Sequence, residues 1–265
     1  LPIEVALDKK FLVPYYYKPI FVYATEEEEE RFRKQSRIIA SYFRNGKCID
    51  PESLAKTLRN RLRIISMAQA KIDGIGDFVN QIEEKDHVVV YCGDGRLYDD
   101  TGEEIRHIRQ VKRVLNDMDY KASQFTAQEN MTERMELVDA FNKGEISALA
   151  AIRCLDEGIN IPSIRSALIL SSNDDYREFV QRRGRILRLY NDKESAVIYD
   201  VVVLPSDDMT EWAKIELRRY REYAKLSINY DETMDELDSL LIQYGLSEED
   251  VDVYDYEEME DEIDE

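Results

Sequence analysis

From residue 86 onward, short apolar runs alternate with helical patterns. "HVVVYC" (87–92), "YKASQF" (120–125), "SALAAI" (147–152), "SALILS" (166–171) and "SAVIYDVVV" (195–203) read as strands, with helices near 102–118, 128–143 and 175–189 between them. Strands this short and this apolar, separated by helices, predict an α/β fold whose mostly parallel sheet is covered on both faces.

The flanks follow other rhythms. "FLVPYYYKPIFVYAT", punctuated by Pro14 and Pro19, reads as extended and aromatic. Thr25 stands three residues before Glu28, a capping-box signature, and opens a helix through "EEEEERFRKQSRIIASYFR" whose glutamates suit a helix start and a solvated face. A second helical stretch covers about 51–83 and breaks near "DGIGD". Its Lys56, Arg59, Arg61, Arg63 and Lys71 suit a phosphate backbone or, equally, a solvated face. Towards the C-terminus, "SDDMTEWAKIELRRYREYAKLS" predicts a helix that docks through Trp212, Ile215, Tyr220 and Tyr223. "DETMDELDSLLIQYGL" predicts another, with Leu237, Leu240, Leu241 and Tyr244 at helical spacing. Beyond Gly245 the acidic run has little apolar surface to set against its own repulsion. The expected organisation is an extended linker and helical segment at 1–85, an α/β domain at 86–205, C-terminal helices packing on it at 206–245, and an acidic, disordered tail at 246–265.

Composition sharpens this picture. The 265 residues are 43% apolar, enough for a real core, and no run approaches the length of a membrane span. "LPIEVALDKK" lacks the basic-then-apolar design of a signal peptide and has no initiator Met, so a piece of a longer chain is expected. Cys48, Cys92 and Cys154 are too far apart for a zinc knuckle or a redox pair, and His87 and His107 form no cluster. No metal site is expected, and the thiols fit a reducing, cytoplasmic setting. The net charge of −20 misleads: residues 230–265 hold 17 acidic and no basic side chains, which leaves −3 for residues 1–229.

Against that acidity, "FVQRRGRILR" (179–188) gathers four arginines around Gly184. At 100° per residue Phe179, Val180, Ile186 and Leu187 share one side of a helix, while Gln181, Arg185 and Arg188 share the other. Arg182 flanks the polar group and Arg183 projects towards the apolar side. Gly184 costs about 1 kcal/mol of helix propensity, which a close backbone approach or a phosphate against the helix would explain. Two guanidiniums one turn apart suit a triphosphate, each forking two donors onto phosphate oxygens. A basic surface helix touching acidic neighbours is the plainer alternative.

In this setting "QRRGRILR" resembles motif VI of the superfamily 2 helicases. "CLDEGINIPSI" (154–164) is similar to their motif V, "FTAQENMTERMELVDAFNKGEISALAA" (125–151) to the segment between motifs IV and V, and "HVVVYC" to the motif IV strand. The four lie in register over residues 86–203, and the flavour is closest to excision-repair and restriction-type DNA translocases. The resemblance implies a three-layer, RecA-like second motor domain, with residues 1–85 as helical linker or insertion and the C-terminal helices appended. It implies an ATP-dependent helicase or translocase (an ATP hydrolase) in which Arg185 and Arg188 act as arginine fingers on ATP bound, with magnesium, by a first RecA-like domain of the same parent. Gln181, Gly158 and Asn160 would face the nucleotide. Relatives often carry Asp where this chain has Asn160, which keeps an acceptor and loses a charge. Nucleic acid is the implied partner, DNA by the flavour of the resemblance although the sequence itself does not decide between DNA and RNA, contacted through the loops after "KASQF" and "SALAA" by Thr126, Lys121, Arg134 and Arg153. Ile152 stands about where some relatives place a threonine.

What the sequence lacks matters as much. "NGKC" (45–48) has Cys48 where a phosphate loop needs Ser or Thr, and Ser41 where it needs the first glycine. "LDEG" (155–158) imitates a magnesium motif but has the spacing of motif V. This chain is therefore expected not to hydrolyse ATP alone. Two rivals stay open: a degenerate RecA-like module that only docks nucleic acid or protein, and a free-standing phosphate-binding α/β enzyme. The acidic tail would either mimic nucleic acid or aid solubility.

Overall fold

The computed structural model describes residues 2–44, 46–93, 95–98, 104–126, 129–152, 160–171 and 176–252. The chain runs through α1 (Ile3–Asp8), β1 (Tyr15–Tyr23), α2 (Glu26–Ser41), a small hairpin of β2 (Phe43–Arg44) and β3 (Lys47–Cys48), then α3 (Pro51–Ser66), α4 (Gln69–Asp73) and α5 (Ile75–Asn80). Then come β4 (Val88–Tyr91), a second hairpin of β5 (Arg96–Tyr98) and β6 (Glu104–Arg106), α6 (His107–Asp117), β7 (Ala122–Phe125) and α7 (Met131–Asn142). Next are β8 (Ala148–Ala151), β9 (Ser166–Ile169), α8 (Tyr176–Ile186), β10 (Ala196–Leu204), α9 (Thr210–Ala224) and α10 (Tyr230–Tyr244).

Six strands pair in the order β1-β10-β9-β4-β8-β7, and every pairing in that sheet is parallel. Alternation along each strand divides the core into two layers. Val89, Tyr91, Leu149, Ala167, Ile169 and Ile198 face one side, where Phe141, Phe179, Leu217, Tyr220 and Leu237 bring α7, α8, α9 and α10 against them. Val88, Val90, Ala150, Leu168 and Val201 face the other side, against Phe78 and Val79 of α5 and Val111 and Leu115 of α6. Helices cover both faces, as the continuous apolar runs require, and the architecture is the three-layer, RecA-like α/β fold.

The expected boundary at residue 86 does not hold. Residues 15–23 are not a linker but the outer strand of this same sheet, in register with β10 from Tyr15↔Ala196 to Tyr23↔Leu204. Tyr15 and Tyr17 alternate inward and are fully buried; their hydroxyls donate to the Tyr223 carbonyl at 2.6 Å and to the Asp200 carboxylate at 3.0 Å. Pro19 is tolerated because β1 lies at the edge. That edge is capped by Asn229, whose amide accepts from the Tyr17 N–H at 3.0 Å and donates to its carbonyl at 2.9 Å.

Other differences are local. The Thr25 capping box forms as read. The stretch from 51 to 83 breaks twice, at Met67–Ala68 and again at Gly74, where a Cβ would strike the Phe78 ring. The helix expected from about 102 starts only at His107, because β5 and β6 precede it. The acidic tail is not disordered from its start: Val251 is buried, Lys214 pairs with Asp250 at 3.1 Å, and Arg221 pairs with Asp252 at 3.4 Å. Basic side chains on α9 neutralise these acids and hold residues 246–252 in place. The remainder of the tail lies outside the described residues.

A buried charge cluster ties β10 to α9. The Arg219 Nε meets Asp200 at 3.0 Å, and its Nη1 meets Glu216 at 2.5 Å, all three groups being inaccessible to water. Lys71 of α4 is buried beside them, and burial pushes its ammonium down to about 8 against the pull of Glu216. No periodicity announced this network, since its members come from three separate elements.

Candidate functional site on the arginine helix

The four arginines of residues 182–188, in and just after helix α8, sort into two pairs. Phe179 and Ile186 are buried against the sheet, and Phe179 lies 6.0 Å from the Tyr223 ring of α9. Arg183 follows them inward, as the 100° arithmetic predicts. It is 2% exposed, donates to the Glu222 carbonyl, and lies 3.7 Å from the Glu222 carboxylate. Arg182 does not flank the polar face but is buried too. Its guanidinium stacks 4.8 Å from the Tyr91 ring, and its Nη1 donates to the Ser171 carbonyl at 3.1 Å. Two of the four arginines therefore lock the helix to the sheet.

Gln181, Arg185 and Arg188 remain on the outer side, Gln181 exposed and the arginines half-buried. The helix ends at Ile186 rather than 189, so Arg188 follows the last turn instead of continuing it. It is held there by a backbone bridge to Leu12 and by the Val13 N–H donating to the Leu187 carbonyl at 2.8 Å. The Arg188 guanidinium donates to the side-chain oxygen of Asn160. Burial and the neighbouring Arg185 charge both lower its pKa from the usual arginine value. Among the described residues it meets no carboxylate. The Arg185 charge thus acts on a guanidinium, Arg188, whose acceptor is a neutral carboxamide.

Lys193 fixes the end of this helix, and nothing in the sequence marked it. Its ammonium donates to the carbonyls of Ile186 at 2.5 Å, Arg188 at 3.1 Å and Pro162 at 3.4 Å, joining the C-terminus of α8 to the segment after Asn160. The Ile186 carbonyl is one of the unsatisfied acceptors at the negative end of the helix dipole. Gly184 has no chain atom within 4 Å of where a Cβ would stand. The protein's own packing therefore does not demand glycine there, and the space beside it is open.

Of the residues expected at nucleic acid, Thr126 and Arg134 are brought together and Lys121 stands apart from them. Thr126 follows β7, while Lys121 precedes it at the opposite end of the strand and is exposed. The Thr126 hydroxyl is buried and donates to Glu129 at 2.7 Å, and Arg134 donates to the Thr126 carbonyl at 2.9 Å. Both contacts stabilise the turn into α7. Ile152 packs partly against the apolar layer under α6. Gly158 and Arg153 lie outside the described residues. Among the described residues no group of three or more His, Cys, Asp or Glu could hold a metal ion, and no helix is long and apolar enough to cross a membrane.

Residues 70–190, which include β4 through α8, match the helicase conserved C-terminal domain. That match covers a little under half of this chain. The chain is 24% identical over 207 residues to the DNA 3'-5' translocase XPB2 of Sulfurisphaera tokodaii, covering 71% of this chain and 43% of that protein. It is 24% identical over 218 residues to the UvrABC system protein B of Methanosarcina acetivorans, covering 80% and 28%. It thus spans less than half the length of either relative. The chain also shares its fold with the C-terminal part of the Fun30 ATPase domain: TM-score 0.52 at 13% identity, covering 88% of this chain and 97% of that one. The Sulfolobus solfataricus SWI2/SNF2 ATPase core in complex with dsDNA gives TM-score 0.52 at 11% identity, covering 88% and 50%.

Proposed function

We propose that this domain is the second motor domain of an ATP-dependent DNA translocase or helicase, and that Arg185 and Arg188 complete a nucleotide site whose phosphate loop and magnesium ligands belong to a first RecA-like domain. The observation that carries this reading is the pair of half-buried guanidiniums, Arg185 and Arg188, at the end of a helix whose Arg182 and Arg183 are buried. One member is oriented by Asn160 and free of carboxylates among the described residues. The open space over Gly184 gives a phosphate or an approaching backbone room to lie against the helix.

The residues present fit a triphosphate. Guanidiniums fork donors onto phosphate oxygens, and their fixed charge opposes the negative charge that develops as the terminal phosphoryl group departs. ATP, when bound, supplies the scissile phosphoanhydride. Arg185 and Arg188 neutralise and orient it, Asn160 holds Arg188 at the site, and Gln181 lines the same face. Lys193 and the buried Arg182 and Arg183 keep the helix end rigid, so that positioning is not lost to side-chain freedom. Closure of two domains on one nucleotide would then be converted into stepping along a strand gripped through its phosphates.

The reading is tested on a polypeptide carrying both motor domains. ATP hydrolysis should be stimulated by duplex DNA and abolished when this domain is removed. Hydrolysis that continues unchanged without it would refute the reading.

A further inference from the structure

We propose that the groove between α2 and α3 is a second phosphate-binding site, which grips the backbone of a nucleic acid beside the motor domain. The groove is open, about 650 Å³ in volume, and lined by Arg31 and Lys34 from α2 and by Asn60 and Arg63 from α3, with Met67 and Glu28 towards one end. Arg31, Lys34 and Arg63 make no ion pair or hydrogen bond through their side chains among the described residues. That is not a general property of these helices. Arg33, next to Lys34, pairs with Asp208 at 3.0 Å, and Arg61, two residues before Arg63, pairs with Glu211 at 3.2 Å. Counterions have been supplied to the cations that face α9 and to none of the three that face the groove.

The single acid in the groove is already committed. The Glu28 carboxylate is buried and accepts from the Thr25 N–H at 2.9 Å and the Gln69 N–H at 2.7 Å, fastening α2 to the start of α4. Three unpaired cations in a protein of net charge −20 make a local field of the opposite sign to the whole. Lys56 and Arg59 are exposed and share the face of Arg63 by helical periodicity, so the positive charge continues along α3 beyond the groove. A row of cations with an amide donor beside it fits successive backbone phosphates better than a single small anion.

The position supports the same occupant. Met67, at the C-terminal cap of α3, sits over Gly93 and Gly95, where a Cβ on either glycine would collide with its side chain. Gly93 in turn lies against Ser171, whose carbonyl receives Arg182 of α8. The groove therefore opens beside the carboxyl ends of β4 and β9, the end of a parallel sheet where ligands bind. The choice of nucleic acid rests on the translocase reading. The site itself is read without ATP and without Arg185 or Arg188, so the two stand or fall separately.

The test is fluorescence anisotropy of a short fluorescein-labelled duplex titrated with the full chain between about 50 and 200 mM salt. The triple variant R31A/K34A/R63A should bind at least about tenfold more weakly, with the salt slope reduced by about one for each phosphate left without its cation. R63K should retain most of the affinity, and K143A, which removes one positive charge beyond the end of α7, should bind as wild type. Circular dichroism confirms that each variant is folded. Absence of duplex binding by the wild-type chain overturns the proposal, and so does equal binding by the triple variant or an equal loss in K143A. Binding of a labelled oligoglutamate peptide through the same three cations, with no duplex binding, also overturns it and assigns the groove to an acidic protein segment.

Discussion

Arg188 and Asn160 are 28 residues apart in sequence, yet the guanidinium of one donates to the carboxamide oxygen of the other. The interaction joins the segment that resembles motif V to the end of the one that resembles motif VI. An arginine side chain that must act on a ligand from another domain loses much rotamer freedom on engagement, and a fixed acceptor removes part of that cost in advance. Asn160→Ala should leave the fold intact, with a Tm within about 2 °C of wild type for this exposed change. In the two-domain protein it should lower ATP turnover about tenfold through the misplaced guanidinium. Equal turnover would show that Arg188 is positioned without it.

Gly184 separates stability from function. An alanine there meets no chain atom within 4 Å and replaces the weakest ordinary helix former with the strongest. Gly184→Ala should therefore stabilise this chain by about 0.5–1 kcal/mol in urea unfolding, and reduce ATP turnover once the partner domain closes on the helix. Destabilisation of the isolated chain would contradict the first half, and unaltered turnover the second.

The Asp200–Arg219–Glu216 cluster is a structural anchor and should behave as one. Arg219→Met leaves two carboxylates buried without their cation, and such a loss costs about 3–5 kcal/mol. Asp200 also receives the Tyr17 hydroxyl, so the damage should reach β1 as well as α9. Hydrogen exchange would show both elements losing protection together. A variant as stable as wild type would mean that the cluster is dispensable.

His107 supplies an acid-sensitive element. It is 1% exposed at the first turn of α6, and burial, aided by the Lys71 charge, lowers its pKa to about 4. In the unfolded chain it titrates near its ordinary value of about 6.5, so between those values the unfolded state binds the extra proton. Stability from this group is complete above about pH 6.5 and declines as pH falls towards 4, by about 3 kcal/mol in all. Urea midpoints measured across that window should fall for wild type and much less for His107→Leu. Parallel pH profiles for the two would exclude His107 as the source.

The parts of this architecture that were legible share a physical cause. Strands such as "HVVVYC" and "SALILS" are buried on both faces, and their apolar runs survive any context. β1 was not legible as part of the sheet, because two prolines and a run of tyrosines describe an extended chain without naming its neighbour; β10 lies some 180 residues later. The inward turn of Arg183 followed from helix geometry alone. The burial of Arg182 required Tyr91 and Ser171, and the role of Lys193 required three carbonyls from two segments. Lys121 and Thr126 are both expected at nucleic acid from the family resemblance, and the length of β7 holds them apart.

The most direct measurement is single-turnover ATP hydrolysis, with saturating DNA, by the two-domain protein carrying Arg185→Ala or Arg188→Ala. Arginines that act on the departing phosphoryl group should each be worth about a thousandfold or more in rate, with nucleotide affinity changed far less and the fold unchanged by circular dichroism. Rates within about twofold of wild type, less than about 0.5 kcal/mol of transition-state stabilisation, would contradict the assignment of this helix to the nucleotide site.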